Sequence, residues 1–239
     1  MTNTLEPVPE DWQRGLAIVA HPDDLEYGVA SAIARWTRQG KMITYCLVTS
    51  GEAGIDSMAP DQAALVRQEE ERRSAAVVGV DTVEFLAHPD GLIEASLILR
   101  RDLATVIRRY RPEVLISINY RDRWAGSFNH ADHRAVGIAL VDASRDAANR
   151  WVFPGAGGAP WTGLRFALFA GSPEATHAVD VTDTIDAGVA SLKEHRAYLA
   201  GLGGGATGTD PDSFLREMAQ TTGPSIGVAA AVSFELVTL

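Results

Sequence analysis

The sequence predicts an α/β protein, a Rossmann-like three-layer sandwich with a mostly parallel central sheet. Two patterns favour this fold class. Short apolar runs alternate along the chain with longer amphipathic segments, which is the order expected of repeated strand-helix units. Glycine or proline follows three of the amphipathic segments, at Gly40, Gly79 and Pro112, where helices usually end.

The elements follow one another in the order βαβαβαβα. The buried apolar runs predict strands at 16–20, 42–49, 82–86 and 114–118, and weaker strand patterns lie at 165–170 and 177–181. The amphipathic segments predict helices at 25–39, 60–78, 96–110 and 131–148. Parallel strands that are joined by helices have their carboxyl ends at one edge of the sheet, and a ligand site is expected at that edge.

The second half of the chain is less regular. The length of 239 residues predicts a single α/β domain over residues 1–239, with a motif-bearing core at 14–150 and an irregular, loop-rich part at 151–239. Glycine-rich stretches at 154–163 and 201–212 predict mobile loops. A last helix is expected near 214–220, before an apolar tail at 228–237.

The composition argues against several classes of protein. A net charge of −10 without a basic stripe disfavours a nucleic-acid partner. The single cysteine, Cys46, cannot form an internal disulfide and is expected to be buried and inert. No run approaches the roughly 20 apolar residues of a membrane span, and the N-terminus lacks a signal-peptide pattern, so the sequence predicts a cytoplasmic protein. The oligomeric state stays open, with a homo-oligomer among the alternatives.

Two adjacent acids follow the first predicted strand, in the stretch LAIVAHPDDLEYG at 16–28. Neighbouring carboxylates at the end of a buried strand repel each other unless a cation lies between them or their pKa values differ. A second polar stretch, SFNHADHRAVG at 127–137, begins the fourth predicted helix. Because both stretches follow strands of the same predicted sheet, we expect them to meet at its carboxyl edge.

Together the two stretches contain the residue types that a catalytic zinc site uses. Such a site takes three imidazole or carboxylate ligands and leaves one position open, and we expect His21, Asp24 and His133 to supply them. Asp24 follows His21 by three residues, so one turn can aim both at one point while Asp23 points elsewhere. Asp23 is then the expected general base for the water that zinc activates. The competing interpretation of Asp24 is a helix N-cap.

Further residues near these motifs are expected to assist. His130 would act as an imidazolium that stabilises an oxyanion or protonates a departing amine, and Asp132 would orient one of the histidines. His88, in a second AHPD tetrapeptide, is expected to be structural. The residues expected to contact substrate are Glu52, Arg67, Asp90 and Trp124.

The motifs resemble one known family. AHPDD after the first strand and HADHRAV on a later helix, with TSGEAG at 49–54, the Arg67 to Glu70 spacing and PDG at 89–91, resemble the PIG-L/LmbE-like superfamily of zinc-dependent de-N-acetylases. The resemblance covers roughly the first 140 residues. It implies that His21, Asp24 and His133 are metal ligands, Asp23 the general base and His130 the electrostatic or acid catalyst.

Two positions depart from the family pattern. Ala131 stands where the family commonly has proline, and Phe128 stands where some members have a tyrosine. Phenylalanine has no hydroxyl. If the tyrosine hydroxyl of other family members contacts the reacting oxyanion, a different group must make that contact in this chain.

The leading hypothesis for function is a hydrolase that cleaves the amide of a small N-acetylated amino sugar or its conjugate and releases acetate. An amidase of thiol conjugates would break the same kind of bond. A Mg²⁺-dependent phosphoesterase is less favoured because no glycine-rich phosphate loop follows the first strand. A catalytically inert metal-binding module would have no use for Asp23. Zn²⁺ is the expected cofactor, and Fe²⁺ or another divalent cation is the alternative at a histidine/carboxylate site.

Overall fold

The computed structural model describes residues 4–124, 126–203 and 210–239. Its strands are β1 (Glu6–Pro7), β2 (Arg14–Val19), β3 (Met42–Leu47), β4 (Thr82–Phe85), β5 (Val114–Ile118), β6 (Arg123–Trp124), β7 (Ser127–Phe128), β8 (Phe166–Ala170), β9 (His177–Asp180) and β10 (Ala231–Thr238). Its helices are α1 (Asp24–Gly28), α2 (Ala30–Arg38), α3 (Pro60–Val77), α4 (Leu97–Tyr110), α5 (Ala131–Ala148), α6 (Ile185–Leu192), α7 (Arg196–Gly201) and α8 (Pro211–Thr222), with a 3₁₀ turn at Gly223–Ile226. Among the described helices, none combines the length and the apolar character that a bilayer span requires.

One sheet of eight strands, in the order β1-β9-β10-β8-β5-β2-β3-β4, forms the middle layer. All its pairings are parallel except the two made by β10. Side chains of β2 alternate between two cores: Leu16 and Ile18 pack with α4 and α5, and Ala17 and Val19 pack with α2 on the opposite face. The predicted α/β sandwich with a mostly parallel sheet is confirmed.

Most elements of the first half lie where the sequence predicts them, and β5 and α5 match at both ends. The predicted helix at 25–39 is an exception, because it is divided into α1 and α2. Val29 separates the two helices with a φ of −130°, far from the helical value.

The part at 151–239 is more regular than predicted. It contributes β8, β9 and β10 to the sheet and three helices to its surface. The apolar tail at 228–237 largely forms β10, which pairs antiparallel with both β8 and β9. The stretch at 154–163 has no helix or strand, as predicted. Of the predicted loop at 201–212, residues 204–209 lie outside the described residues, and Pro211 begins α8.

Arg108 explains how the irregular segment after α5 is attached to the rest of the fold. Its side chain is buried and donates hydrogen bonds to six backbone carbonyls, those of Asp146, Ala147, Asn149, Val152, Phe153 and Ala156. Trp161 adds a hydrogen bond from its indole nitrogen to the carbonyl of Pro112, at 2.6 Å.

Replacing Arg108 is therefore expected to destabilise the protein strongly. Arg108→Ala leaves several buried carbonyls without a donor, and we expect the free energy of unfolding in urea to fall by about 3 kcal/mol or more. The matched control is Arg109→Ala on the same helix, whose half-exposed side chain pairs with Glu84. That change is expected to cost less than about 1 kcal/mol. Equal losses in the two variants would contradict the role assigned to Arg108.

Candidate metal centre

Four loops that follow parallel strands meet at one edge of the sheet. They are the turn between β2 and α1, the loop after β3, the PDG turn at 89–91 after β4, and the segment between β5 and α5. Between them lies a cavity of about 520 Å³. Its lining includes nine of the residues discussed below: His21, Asp23, Asp24, Tyr27, Arg67, Asp90, His130, His133 and Tyr198.

His21, Asp24 and His133 converge as the sequence predicts. Their ligand atoms all lie within 4.8 Å of one another. Asp24 Oδ2 lies 3.5 Å from His21 Nδ1, and Asp24 Oδ1 lies 3.0 Å from His133 Nε2. Two imidazoles and a carboxylate that share one point are a ligand set suited to Zn²⁺ or a similar divalent ion. The structure thus has a group of side chains that could hold a metal ion at the place the sequence predicts.

Neighbouring side chains orient both imidazoles toward that point. His21 Nε2 lies 3.2 Å from Asp132 Oδ2 and 3.1 Å from Asp90 Oδ1, which leaves Nδ1 to face Asp24. His133 Nδ1 lies 3.0 Å from Asn129 Oδ1, which leaves Nε2 for the ion. Such outer hydrogen bonds fix the tautomer of a metal-binding histidine. The residues present therefore fit a bound metal.

Asp132 is itself firmly held. It is fully buried, and its carboxylate accepts hydrogen bonds from the backbone amides of Gly91 at 2.7 Å and Ile93 at 3.2 Å. Burial opposes the charge on His21, but the carboxylates of Asp24, Asp132 and Asp90 outweigh it and raise the pKa of His21 to about 12. The predicted role of Asp132, orienting a histidine, agrees with this placement.

The two adjacent acids have opposite pKa shifts. Burial would raise the pKa of Asp24, but His133 and His21 outweigh it and hold that pKa well below its ordinary value. Burial also acts on Asp23 and, together with the Asp24 charge, raises its pKa in spite of the Arg67 guanidinium. Asp24 is therefore an anion that faces both histidines, and Asp23 is the stronger proton acceptor of the two.

Asp23 is held apart from the ligands by its backbone and by two partners. Its φ of 96° is a conformation that a non-glycine residue rarely adopts. The Asp23 carboxylate accepts a hydrogen bond from Arg67 at 2.6 Å. Tyr198 lies beside it, where burial and the Asp23 charge raise the pKa of the Tyr198 hydroxyl. Asp23 occupies the N-cap position of α1 without a side-chain capping bond, and Asp24 is the first residue of the helix, so the N-cap interpretation of Asp24 is wrong.

The TSGEAG motif makes room for the guanidinium that holds Asp23. Arg67 donates to the carbonyl of Gly51 at 3.0 Å and to that of Pro22. A side chain at Gly51 or Gly54 would collide with this guanidinium, and Gly51 also has a positive φ of 64°. Tyr198 covers the other side, with its ring centroid 4.4 Å from the Arg67 guanidinium carbon.

His130 differs in one respect from the expectation. It lies at the N-cap of α5, and its Nδ1 accepts a hydrogen bond from the Asp132 amide at 3.2 Å. Burial and the charges of His21 and His133 lower the pKa of His130, which favours the neutral ring. A neutral ring would present an Nε2–H donor to the cavity, whereas the expected role was that of an imidazolium, which stays a prediction.

Three of the four residues predicted to contact substrate line the cavity, and one does not. Arg67, Asp90 and Trp124 line the cavity, with the Trp124 ring 6.1 Å from that of His133. Glu52 does not line it, because its carboxylate accepts the backbone amides of Ser50 and Asp90 and supports the PDG turn. Outside the site, His88 pairs with Asp102 at 3.1 Å, in keeping with a structural role.

Several residues of the cavity escape sequence reasoning. Tyr27 follows Asp24 by one helical turn, and Asn129 precedes His133 by four residues. Residues at these spacings lie close together on a helix, so the sequence could have indicated that both are near the ligands. Tyr198 and Phe214 come from α7 and α8, where no motif marks them. Phe128, at the position of the family tyrosine, lines the cavity and is 78% exposed, so the phenolic hydroxyls on the cavity wall belong to Tyr27 and Tyr198.

Asn129 offers a test of how His133 is oriented toward the metal position. Asn129→Ala removes the acceptor for His133 Nδ1, and we expect the affinity for Zn²⁺ to fall about 10- to 100-fold in a competition titration with a chelating dye. The control is Asp122→Ala in the same loop, because the Asp122 side chain is 83% exposed. An Asn129→Ala protein that binds Zn²⁺ as tightly as the control would contradict the assignment.

The sequence matches a known family over the motif-bearing part. The family model described as PIG-L, GlcNAc-PI de-N-acetylase, matches residues 16–144. Diacetylchitobiose deacetylase of Thermococcus kodakarensis is 33% identical over 135 residues, which are 56% of this chain and 49% of that protein. A probable N-acetyl-alpha-D-glucosaminyl L-malate deacetylase 2 of Bacillus anthracis is 28% identical and covers 54% and 58% of the two chains. The chain thus spans about half the length of the curated relatives it matches.

Solved structures share the fold over nearly the whole chain. N,N'-diacetylchitobiose deacetylase from Pyrococcus horikoshii, in complex with its inhibitor MPG, superposes with a TM-score of 0.85, at 23% identity, over 95% of this chain and 85% of that one. The 4-carboxy-2-hydroxymuconate hydratase GalB from Pseudomonas putida superposes with a TM-score of 0.71, at 20% identity, over 94% and 96%. At these identities the likeness concerns the fold, and a function has to be argued from the site.

Proposed function

Since the chain belongs to the PIG-L (GlcNAc-PI de-N-acetylase) family, we propose that it is a zinc-dependent hydrolase that cleaves the amide of an N-acetylated amino sugar or its conjugate and releases acetate. One observation carries this proposal. His21, Asp24 and His133 lie close enough together to hold one ion, and the separate carboxylate of Asp23 lines the same cavity without belonging to that group. Metal binding alone does not require a second, separately held acid.

The metal and the base have distinct tasks in this proposal. His21, Asp24 and His133 would hold Zn²⁺, which when bound lowers the pKa of a water from above 15 to about 7 and polarises a carbonyl oxygen. Asp23 accepts the proton of the attacking water, because its raised pKa brings it closer to neutral pH. Arg67, which packs on the Tyr198 ring, keeps the Asp23 carboxylate in place during that transfer.

His130 is placed in this proposal to interact with the substrate oxygen. Its Nδ1 is engaged by the Asp132 amide, so the proton of the neutral ring is on Nε2. From there it can donate a hydrogen bond to the substrate oxygen as negative charge develops. The proton taken up by Asp23 is then available to the departing amine, which leaves as the free amino sugar.

The walls of the cavity suit an uncharged sugar. Aromatic rings of Tyr27, Trp124, Tyr198 and Phe214 line it, and apolar ring faces pack well against the C–H faces of a pyranose. Among the described lining residues, Arg67 is the one lysine or arginine, and it is paired with Asp23. This arrangement argues against a phosphoesterase, whose substrate would need free cationic donors.

The test of the proposal is acetate release from a substrate panel. We expect the zinc-loaded protein to release acetate from N-acetylglucosamine conjugates such as chitobiose derivatives, and dialysis against dipicolinate to abolish the release until Zn²⁺ is restored. N-acyl thiol conjugates form the second arm, in which faster turnover would favour the amidase alternative. Full activity after metal removal, or no turnover in either arm, would refute a zinc-dependent amide hydrolase.

A further inference from the structure

A second cluster of ionisable groups lies behind the catalytic cavity and takes no part in the proposed reaction. It consists of Glu26 on α1, Glu71 on α3 and His195 at the N-cap of α7. Their exposed fractions are 1%, 0% and 0%, and none of the three lines the catalytic cavity. Three buried titratable groups from separate helices require a physical explanation.

Hydrogen bonds satisfy only part of this cluster. Glu26 Oε1 accepts from the Ser74 hydroxyl at 2.6 Å, and Glu71 Oε2 accepts from the Asp23 amide at 3.3 Å. Within the described part of the chain, Glu26 Oε2, Glu71 Oε1 and both ring nitrogens of His195 have no hydrogen-bond partner. Native proteins rarely leave so many buried polar atoms unsatisfied in one place.

The spacing of the cluster is that of ligands around an ion. His195 Nε2 lies 3.6 Å from an oxygen of Glu26 and 3.6 Å from an oxygen of Glu71. These separations exceed the 2.7–3.2 Å typical of an N–H···O hydrogen bond. Two ligand atoms bonded tetrahedrally to one Zn²⁺ at about 2.0–2.1 Å are separated by roughly 3.3 Å, close to what is found here.

The charges favour a cation as well. Two buried carboxylates repel each other, and burial together with the Glu26 charge raises the pKa of Glu71 well above its ordinary value. The Arg67 guanidinium, whose charge opposes this rise in the Glu71 pKa, is already paired with Asp23. A divalent ion with a neutral imidazole and two carboxylates gives a cluster without net charge. The Tyr45 hydroxyl is buried and has no hydrogen-bond partner among the described residues, and burial and the charges of the same two carboxylates raise its pKa.

We propose that Glu26, Glu71 and His195 form a second, structural metal site that takes Zn²⁺ or a similar divalent transition-metal ion. The ion would join α1, α3 and the start of α7 at one point. Because α7 presents Tyr198 to Asp23, and Glu71 accepts the Asp23 amide, the site would fix the wall and the base of the catalytic cavity from behind. This inference does not depend on the substrate or on the reaction proposed above.

Metal counting tests the proposal. Protein produced with Zn²⁺ and freed of loosely bound metal by gel filtration is expected to contain two zinc ions per chain by plasma mass spectrometry. Glu71→Gln is expected to contain one, because a carboxamide is a poor ligand. The control Glu69→Gln, on the exposed face of α3, is expected to contain two. One ion in the unaltered protein, or two in Glu71→Gln, would overturn the proposal in favour of a metal-free, proton-sharing cluster.

A crystallographic measurement keeps the test independent of the folding of any variant. Anomalous diffraction of the unaltered protein at the zinc edge should show one peak at His21, Asp24 and His133 and a second bonded to Glu26, Glu71 and His195. A map with only the first peak would refute the second site. Failure of acetate release with two zinc ions present would refute the proposed function and leave the second site standing.

Discussion

Asp23→Asn is expected to lower kcat for acetate release by about 10²- to 10⁴-fold while the protein keeps its full complement of zinc. The amide has the shape of the carboxylate and retains an oxygen for the Arg67 hydrogen bond, which measures 2.6 Å in this structure. It cannot accept a proton at neutral pH. The measurement is kcat at saturating Zn²⁺, together with the zinc content of the same sample.

The outcome separates a base from a structural residue. If Asp23 merely held α1 or Arg67, Asp23→Asn would change stability and leave kcat nearly intact. An exposed aspartate elsewhere, Asp81, provides the matched Asp→Asn control and is expected to leave both kcat and zinc content unchanged. An Asp23→Asn enzyme with the rate of that control would remove the base from the mechanism.

The core of the candidate site could be predicted because its residues are local in sequence. His21, Asp23 and Asp24 occupy one turn after a strand, and His130 and His133 occupy one turn of a helix. In a parallel sheet the strand order brings such turns to a common edge. The pKa of His21 could not be predicted from the sequence, because it depends on carboxylates that other loops bring close to it, such as that of Asp90.

The parts that could not be predicted depend on long-range packing. Tyr198 reaches Asp23 from α7, more than 170 positions away, and nothing in the local sequence of α7 signals that contact. The cluster of His195 with Glu26 and Glu71 is likewise assembled by the fold, because the three residues lie far apart in the sequence. The apolar character of the tail at 228–237 predicts that it is buried but not how the strand runs relative to its neighbours. That direction follows from the antiparallel pairing of β10 with β8 and β9.

Asp24→Asn is expected to have a larger effect than Asp23→Asn, because it removes the catalytic metal together with the activity. Asp24 Oδ2 accepts the His21 backbone amide at 2.9 Å, and Oδ1 lies 3.0 Å from His133 Nε2. An asparagine keeps one oxygen, loses the negative charge and turns an N–H₂ group toward an imidazole or an amide. Zinc content should fall by one ion per chain, and acetate release should fall below detection.

Stability provides a second readout of the same change. A ligand that binds only the folded state raises the free energy of unfolding by about 2.7 kcal/mol when it is 100-fold above its dissociation constant. Asp24→Asn should lose the share of that stabilisation contributed by the catalytic ion, whereas Asp23→Asn should keep it. Since the two aspartates are adjacent and undergo the same substitution, a difference in zinc content between the variants indicates which carboxylate faces the ion. Loss of zinc in Asp23→Asn and its retention in Asp24→Asn would reverse the assignment.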